Sequence, residues 1–138
     1  FLDDDDFFLP TKLEKQLQLL KKNNGLFSST NMYQINHNRI QSESLDFNIV
    51  KSYYTPHILP SFFTQEMIHK TNYINNSTVL LHRSIIDKTG TFNIILYEDW
   101  DYWKRAIAFT PCYYLDEELV YYTVSINQET QEKYYLSL

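Results

Sequence analysis

The chain opens on four consecutive aspartates, Asp3 to Asp6, held between Phe1-Leu2 and Phe7-Phe8-Leu9. Like charges in a row repel: two unit charges about 4 Å apart cost roughly 1 kcal/mol in water and more beside a protein interior. A folded chain keeps such a run as a solvated tail or as a cage for a cation. Disordered acidic tails are poor in aromatic and aliphatic residues, so the apolar flanks argue against a tail. In an extended segment Asp3 and Asp5 point to one side and Asp4 and Asp6 to the other. Two carboxylates on one side suit a hard divalent cation, Mn²⁺ or Mg²⁺.

The rest of the chain bounds what such a cation could serve. Its 138 residues allow one domain with a real core, and only 2 Gly and 4 Pro argue against a long flexible linker. A net charge of −5, with no basic cluster larger than Lys21-Lys22, disfavours nucleic acid as a partner. The single Cys112 excludes an internal disulfide and a multi-cysteine metal site, and fits a reducing, cytoplasmic setting, at most peripheral at a membrane. No apolar run is long enough for a transmembrane segment. The chain starts inside an apolar segment and without Met, so it reads as the second half of a longer domain.

Periodicity predicts alternating strands and helices. Residues 1–3 read as the end of a buried strand, and Pro10 suits the first turn of a helix over 10–23. Leu13, Leu17 and Leu20 would be its buried stripe, with Lys12, Lys15, Gln16 and Lys22 facing water. Asn23-Asn24-Gly25 ends it. Residues 26–35 read as a strand that can bury Phe27, Met32, Tyr33 and Ile35. Residues 36–73 are polar and irregular, with room for short strands or a helix at 47–50 and 61–63; an insertion of this kind usually serves binding. Further strands are predicted at 75–81, 112–115 and 119–124. A short helix over 84–88 stops at Gly90, and a stronger one over 98–109 stops before Pro111. Trp100, Trp103, Ala106 and Ile107 stand at core spacing, and Trp103 is expected in the core.

The aspartate run has several possible owners. A haloacid-dehalogenase-type phosphatase wants Thr or Val two residues after its Asp-x-Asp, where this chain has Phe7. A prenyl-diphosphate synthase wants Asp-Asp-x-x-Asp on a helix. A nucleotide-sugar glycosyltransferase wants Asp-x-Asp at a strand end followed by a helix, and Asp3-Asp4-Asp5 meets that. A second constellation follows some ninety residues later, Glu98-Asp99-Trp100-Asp101-Tyr102-Trp103-Lys104-Arg105. Carboxylates at a helix N-terminus are ordinary helix-starting chemistry. Facing a cleft, one of them could also take a proton from an acceptor hydroxyl, with Trp100 as a sugar-stacking surface. His37, His57, His69 and His82 have no metal-ligand spacing, and Cys112 reads as a small buried hydrophobe.

Taken in order, Leu2-Asp3-Asp4-Asp5-Asp6, Leu9-Pro10, Asn76-Ser77, Arg83-Ser84, Gly90-x-Phe92 and Glu98-Asp99-x-Asp101-Tyr102-Trp103-x-Arg105 resemble the second half of glycosyltransferase family 2. This resemblance implies an α/β, GT-A-like, Rossmann-related mixed sheet flanked by helices, with 1–138 a single partial domain whose N-terminal nucleotide-binding half is missing. It implies a DXD motif, a nucleotide-diphospho-sugar donor (a UDP-sugar) and a glycan, lipid or protein acceptor. Asp5 and Asp3 would contact Mn²⁺ or Mg²⁺, Asp3 and Asp4 the donor, Glu98 and Trp100 the acceptor, and Asp99 would be the catalytic base of an inverting transfer. Two positions depart from the family pattern: Ser125 stands where many members have a metal- or diphosphate-contacting His, and Asn93 where they have Asp. The alternatives are a non-catalytic glycan- or partner-binding remnant and an unrelated acidic cation-binding domain.

Overall fold

A computed structural model describes residues 1–37 and 50–125, which form a mixed α/β structure around one curled sheet. The strands are β1 (Phe7–Phe8), β2 (Phe27–His37), β3 (Val50–Ser52), β4 (Phe62–Phe63), β5 (Leu80–Leu81) and β6 (Cys112–Ser125). The helices are α1 (Lys12–Asn23), α2 (Gln65–Lys70), α3 (Arg83–Thr89) and α4 (Glu98–Ala106). The long strands β2 and β6 run parallel at the centre, joined by a crossover that contains α2, α3 and α4. β1 and β3 flank them, β4 pairs with β6 and β5 with β2, all antiparallel. Among the described residues, no helix is long and apolar enough to cross a membrane.

The core lies between the sheet and the crossover helices. Phe27 and Cys112 from the strands meet Ile68, Ile85, Tyr102 and Trp103 from α2, α3 and α4, all fully or nearly fully buried. Cys112 is enclosed, as its sequence reading expects, and burial pushes its thiol up to about 12. α4 locks the turn ahead of it: Tyr102 Oη donates to Gly90 O at 3.0 Å, and the Arg105 guanidinium to Thr89 O at 2.7 Å and Thr91 O at 2.9 Å. Gly90 has φ 82° and ψ −147°, a conformation open in practice only to glycine.

Several elements differ from the sequence expectation. Residues 1–3 form no strand; among the described residues the strand beside the aspartates is β1, after them. Residues 75–81 are a short 3-10 turn, Asn76–Thr78, followed by the two-residue β5, because Asn75 Oδ1 accepts from Ser77 N and caps the turn. The strands expected at 112–115 and 119–124 are one strand, β6. Its register against β2 jumps from Thr30↔Leu115 to Asn31↔Glu118, so Asp116 and Glu117 bulge out. The segment at 47–50 lies largely outside the described residues, as does the tail beyond 125.

The largest departure is α1, which packs on the face expected to be polar. Lys12, Gln16 and Leu20 are buried, whereas Leu13 and Leu17 remain about half exposed. Either row has helical spacing; the surface beneath decides. β2 presents Ser28 and the 3-10 turn presents the carbonyl of Thr78. The Gln16 carboxamide donates to both, at 3.0 and 2.9 Å. Its Oε1 accepts from Lys12 Nζ at 2.7 Å, and that ammonium sits 4.2 Å from the Phe8 ring centre.

Burial lowers the Lys12 ammonium from 10.5 to about 8. The unfolded chain holds this proton to higher pH than the folded one, so stability must rise with pH between those values. The shift corresponds to about 3 kcal/mol. Wild type is therefore expected to gain up to about 3 kcal/mol relative to Lys12→Met between pH 8 and 10.5 in urea unfolding. A difference that stays flat with pH would show that Lys12 is not buried as a charge.

Candidate functional site

The aspartate run is a turn. Asp6 N donates to Asp3 O at 3.2 Å, and this regroups the side chains that an extended segment would alternate. Asp3 and Asp6 turn toward the 3-10 segment. Asp6 is buried: Oδ2 accepts from Ser77 Oγ at 2.5 Å and Oδ1 from Thr123 N at 3.0 Å. Burial outweighs those hydrogen bonds and pushes its carboxyl up to about 6. Asp3 N donates to Ser77 Oγ at 3.0 Å, and Asp3 Oδ1 accepts from Asn76 Nδ2 at 2.8 Å. Asp4 is exposed and Asp5 partly so. Asp6 thus ties the N-terminal turn to β6, a role that no local pattern announces, because its partners lie 71 and 117 residues away.

The second constellation starts α4. Tyr97, just before it, has φ 58° and ψ 47°, a left-handed conformation costly for a tyrosine. Asp99 Oδ1 accepts the backbone N–H of Trp100 at 2.6 Å. Burial raises the Asp99 pKa above the ordinary carboxylate value; the Trp100 N–H and a hydrogen bond from Asn72 pull it down, while the charges of Glu98 and Asp3 push it up. Trp100 is held by its own indole, Nε1 donating to Ile68 O at 2.6 Å, with the Lys104 ammonium 3.9 Å from its ring. Trp103 is in the core, as expected. Glu98 is exposed.

Asp99 and Trp100 open into a cleft of about 450 Å³ whose other walls include Tyr53, Tyr54, Asn72 and Tyr122. This is the size of a small-molecule site, roughly 300–1,000 Å³. Asp3, Asp4, Asp5 and Glu98 do not line it. The two constellations are nevertheless neighbours: Asn75 lines the cleft, the next residue Asn76 binds Asp3, and the Asp3 charge reaches Asp99. A second cleft of about 440 Å³, between α1 and β5, has no carboxylate in its lining.

The tyrosine wall rests on a residue that sequence reading passed over. Asn31, buried in β2, accepts from Tyr54 N at 3.1 Å and donates to Tyr54 O at 2.9 Å. Ser52 Oγ, beside it, is 2.8 Å from Glu118 Oε1 at the β6 bulge. A lone Asn inside a strand gives no sequence signal for this. Only the register shift puts Glu118 opposite it.

As donors, the carboxylate oxygens of Asp5 and Asp3 suit Mn²⁺ or Mg²⁺ in kind. Asn76 Oδ1, beside Asp3, is buried without a hydrogen-bond partner among the described residues, as an oxygen awaiting a cation or water would be. Among those residues no three acidic, His or Cys side chains are grouped to hold a metal. Ser125 ends β6 in register with His37. His57 Nδ1 lies 3.1 Å from Asp116 Oδ2, and His82 caps α3. No protein-family model matches the chain, and no curated protein matches it.

Proposed function

We propose that this chain carries the metal and acceptor sides of an inverting, metal-dependent glycosyltransferase with a GT-A-like fold. The observation that carries the reading is Asp99, a carboxylate with a raised pKa, partly buried in a cleft and electrostatically coupled to the aspartate turn. A carboxylate whose basicity is raised in this way is suited to remove a proton from an alcohol during attack.

In this mechanism the acceptor hydroxyl sits against Asp99. Asp99 takes its proton as the oxygen bonds to the anomeric carbon, and the nucleoside diphosphate leaves from the opposite face. The configuration inverts. Asn72 and the Trp100 N–H hold the base in place, Trp100 meets the acceptor in the cleft, Glu98 stands exposed outside it at the start of the same helix, and Asp3 and Asp4 meet the donor. Asp5, with Asp3, would hold Mn²⁺ or Mg²⁺, which when bound supplies Lewis-acid stabilisation to the leaving diphosphate.

Full-length protein is expected to transfer from or hydrolyse a UDP-sugar with Mn²⁺ or Mg²⁺ present and to stop in chelator. Asp5→Asn should cost at least the roughly 10–100-fold that losing even an outer-shell metal partner costs. Undiminished turnover in chelator would remove the metal from the reading. A second reading, a non-catalytic glycan-binding remnant, draws on Asp3 and Asp6 being tied into the fold. It predicts glycan binding with no turnover under any cation.

A further inference from the structure

We infer that the acceptor taken by the Asp99 cleft is a neutral pyranose ring of a glycan, and that Tyr54 and Asn72 are specificity residues for it; this rests on the transfer reading above. The cleft walls combine aromatic rings with amides and one carboxylate. That is the complement of a sugar, which presents C–H faces to aromatic rings and hydroxyls to amides and carboxylates.

Charge disfavours a phosphorylated acceptor. Among the described residues that line the cleft none is Lys, Arg or His, and Asp99 adds negative charge. A lipid phosphate entering there would lose its hydration with no cation among the described lining residues to replace it.

The wall is also pre-organised. Asn31 grips Tyr54 by both backbone groups, and the Tyr53 and Tyr54 rings pack edge to face at 4.8 Å. Burial raises the Tyr54 phenol well above its ordinary value, so it stays a neutral donor. Trp100 is pinned through Ile68. Asn72 Oδ1 accepts from Ile74 N at 3.2 Å while its side chain bonds Asp99, so the amide that orients the base also borders the ligand. Rigid aromatic groups that lose little entropy on binding are what a weak, neutral ligand needs.

The test is saturation-transfer NMR on the full-length protein. The probes are the methyl pyranosides of glucose, galactose, mannose and N-acetylglucosamine, with octyl phosphate and a neutral Ser/Thr peptide as rivals. At least one pyranoside should receive saturation, and neither rival should. Tyr54→Phe, which keeps the ring, and Asn72→Ala should each weaken the Kd about three- to tenfold, the worth of one neutral hydrogen bond. Circular dichroism checks that both variants fold, and the wild-type panel decides on its own if they do not. Binding of octyl phosphate or peptide in place of every pyranoside, or binding of no probe, overturns the inference. The same wild-type sample, assayed for UDP-sugar hydrolysis, separates the two readings. Hydrolysis without pyranoside binding sinks this inference alone. Pyranoside binding without hydrolysis or donor binding sinks the transfer reading and leaves a glycan site.

Discussion

Asp99→Asn is expected to lower sugar transfer by about 10²- to 10⁴-fold, the usual contribution of a positioned general base, while the fold survives. The substitution is nearly isosteric. The Asn oxygen can still accept the Trp100 N–H that Asp99 Oδ1 takes at 2.6 Å, so helix α4 keeps its start. What disappears is basicity. The pH profile carries the same signature. Burial holds the Asp99 pKa above the ordinary carboxylate range, and the base works only when ionised. Activity should therefore fall as pH drops through that raised value, at a higher pH than an exposed carboxylate would set. The Asn72 hydrogen bond favours the charged form, so Asn72→Ala should move the acid limb to still higher pH. Initial rates of full-length protein across the acid range measure both effects. Unchanged transfer by Asp99→Asn, or an acid limb that ignores Asn72, would remove Asp99 from the role of base.

Trp103→Ala is expected to cost about 3–5 kcal/mol of stability, the range for deleting a fully buried aromatic ring. That is a large share of the roughly 5–15 kcal/mol that holds a typical domain together. Trp103 is 0% exposed and meets rings from three other parts of the chain, Phe1 at 5.4 Å, Phe27 at 5.7 Å and Phe92 at 6.1 Å, besides its helix neighbour Tyr102 at 5.3 Å. Its removal would unpack α4 from β2 and loosen the helix that carries Asp99. Trp103→Phe should cost clearly less, since it keeps a ring and Trp103 Nε1 has no partner among the described residues to lose. Chemical denaturation of the three proteins gives the comparison. A loss below about 1 kcal/mol in Trp103→Ala would mean the site collapses freely and the cluster is not the core.

Elements with strong local signals were legible without coordinates. α1, α3 and the start of α4 stand close to where periodicity, Gly90 and the acidic first turn put them. β2 was readable from the apolar residues Phe27, Met32, Tyr33 and Ile35, and Trp103 from its spacing. Boundaries failed where long-range pairing overrides local preference. The two strands expected after residue 111 are one because the long parallel partner β2 carries pairing across the bulge. The expected strand at 75–81 gave way to a 3-10 turn because the Asn75 side chain captured a backbone N–H.

The candidate site divides along the same line. The sequence by itself determined which chemistry is present: four clustered carboxylates, a second acidic pair at a helix start, and aromatic residues in number. Those are properties of residue types and short spacings, and short spacings survive folding. Tertiary structure alone decided how the groups are used. It turned the aspartate run so that Asp3 and Asp6 hold the 3-10 segment and β6. It buried Lys12 and Gln16 in place of Leu13 and Leu17, and it brought Tyr54, Asn72 and Asp99 to one cleft. Each of these outcomes depends on partners dozens of residues away, and the surface presented by a distant strand is not encoded in the spacing of the helix or turn that meets it.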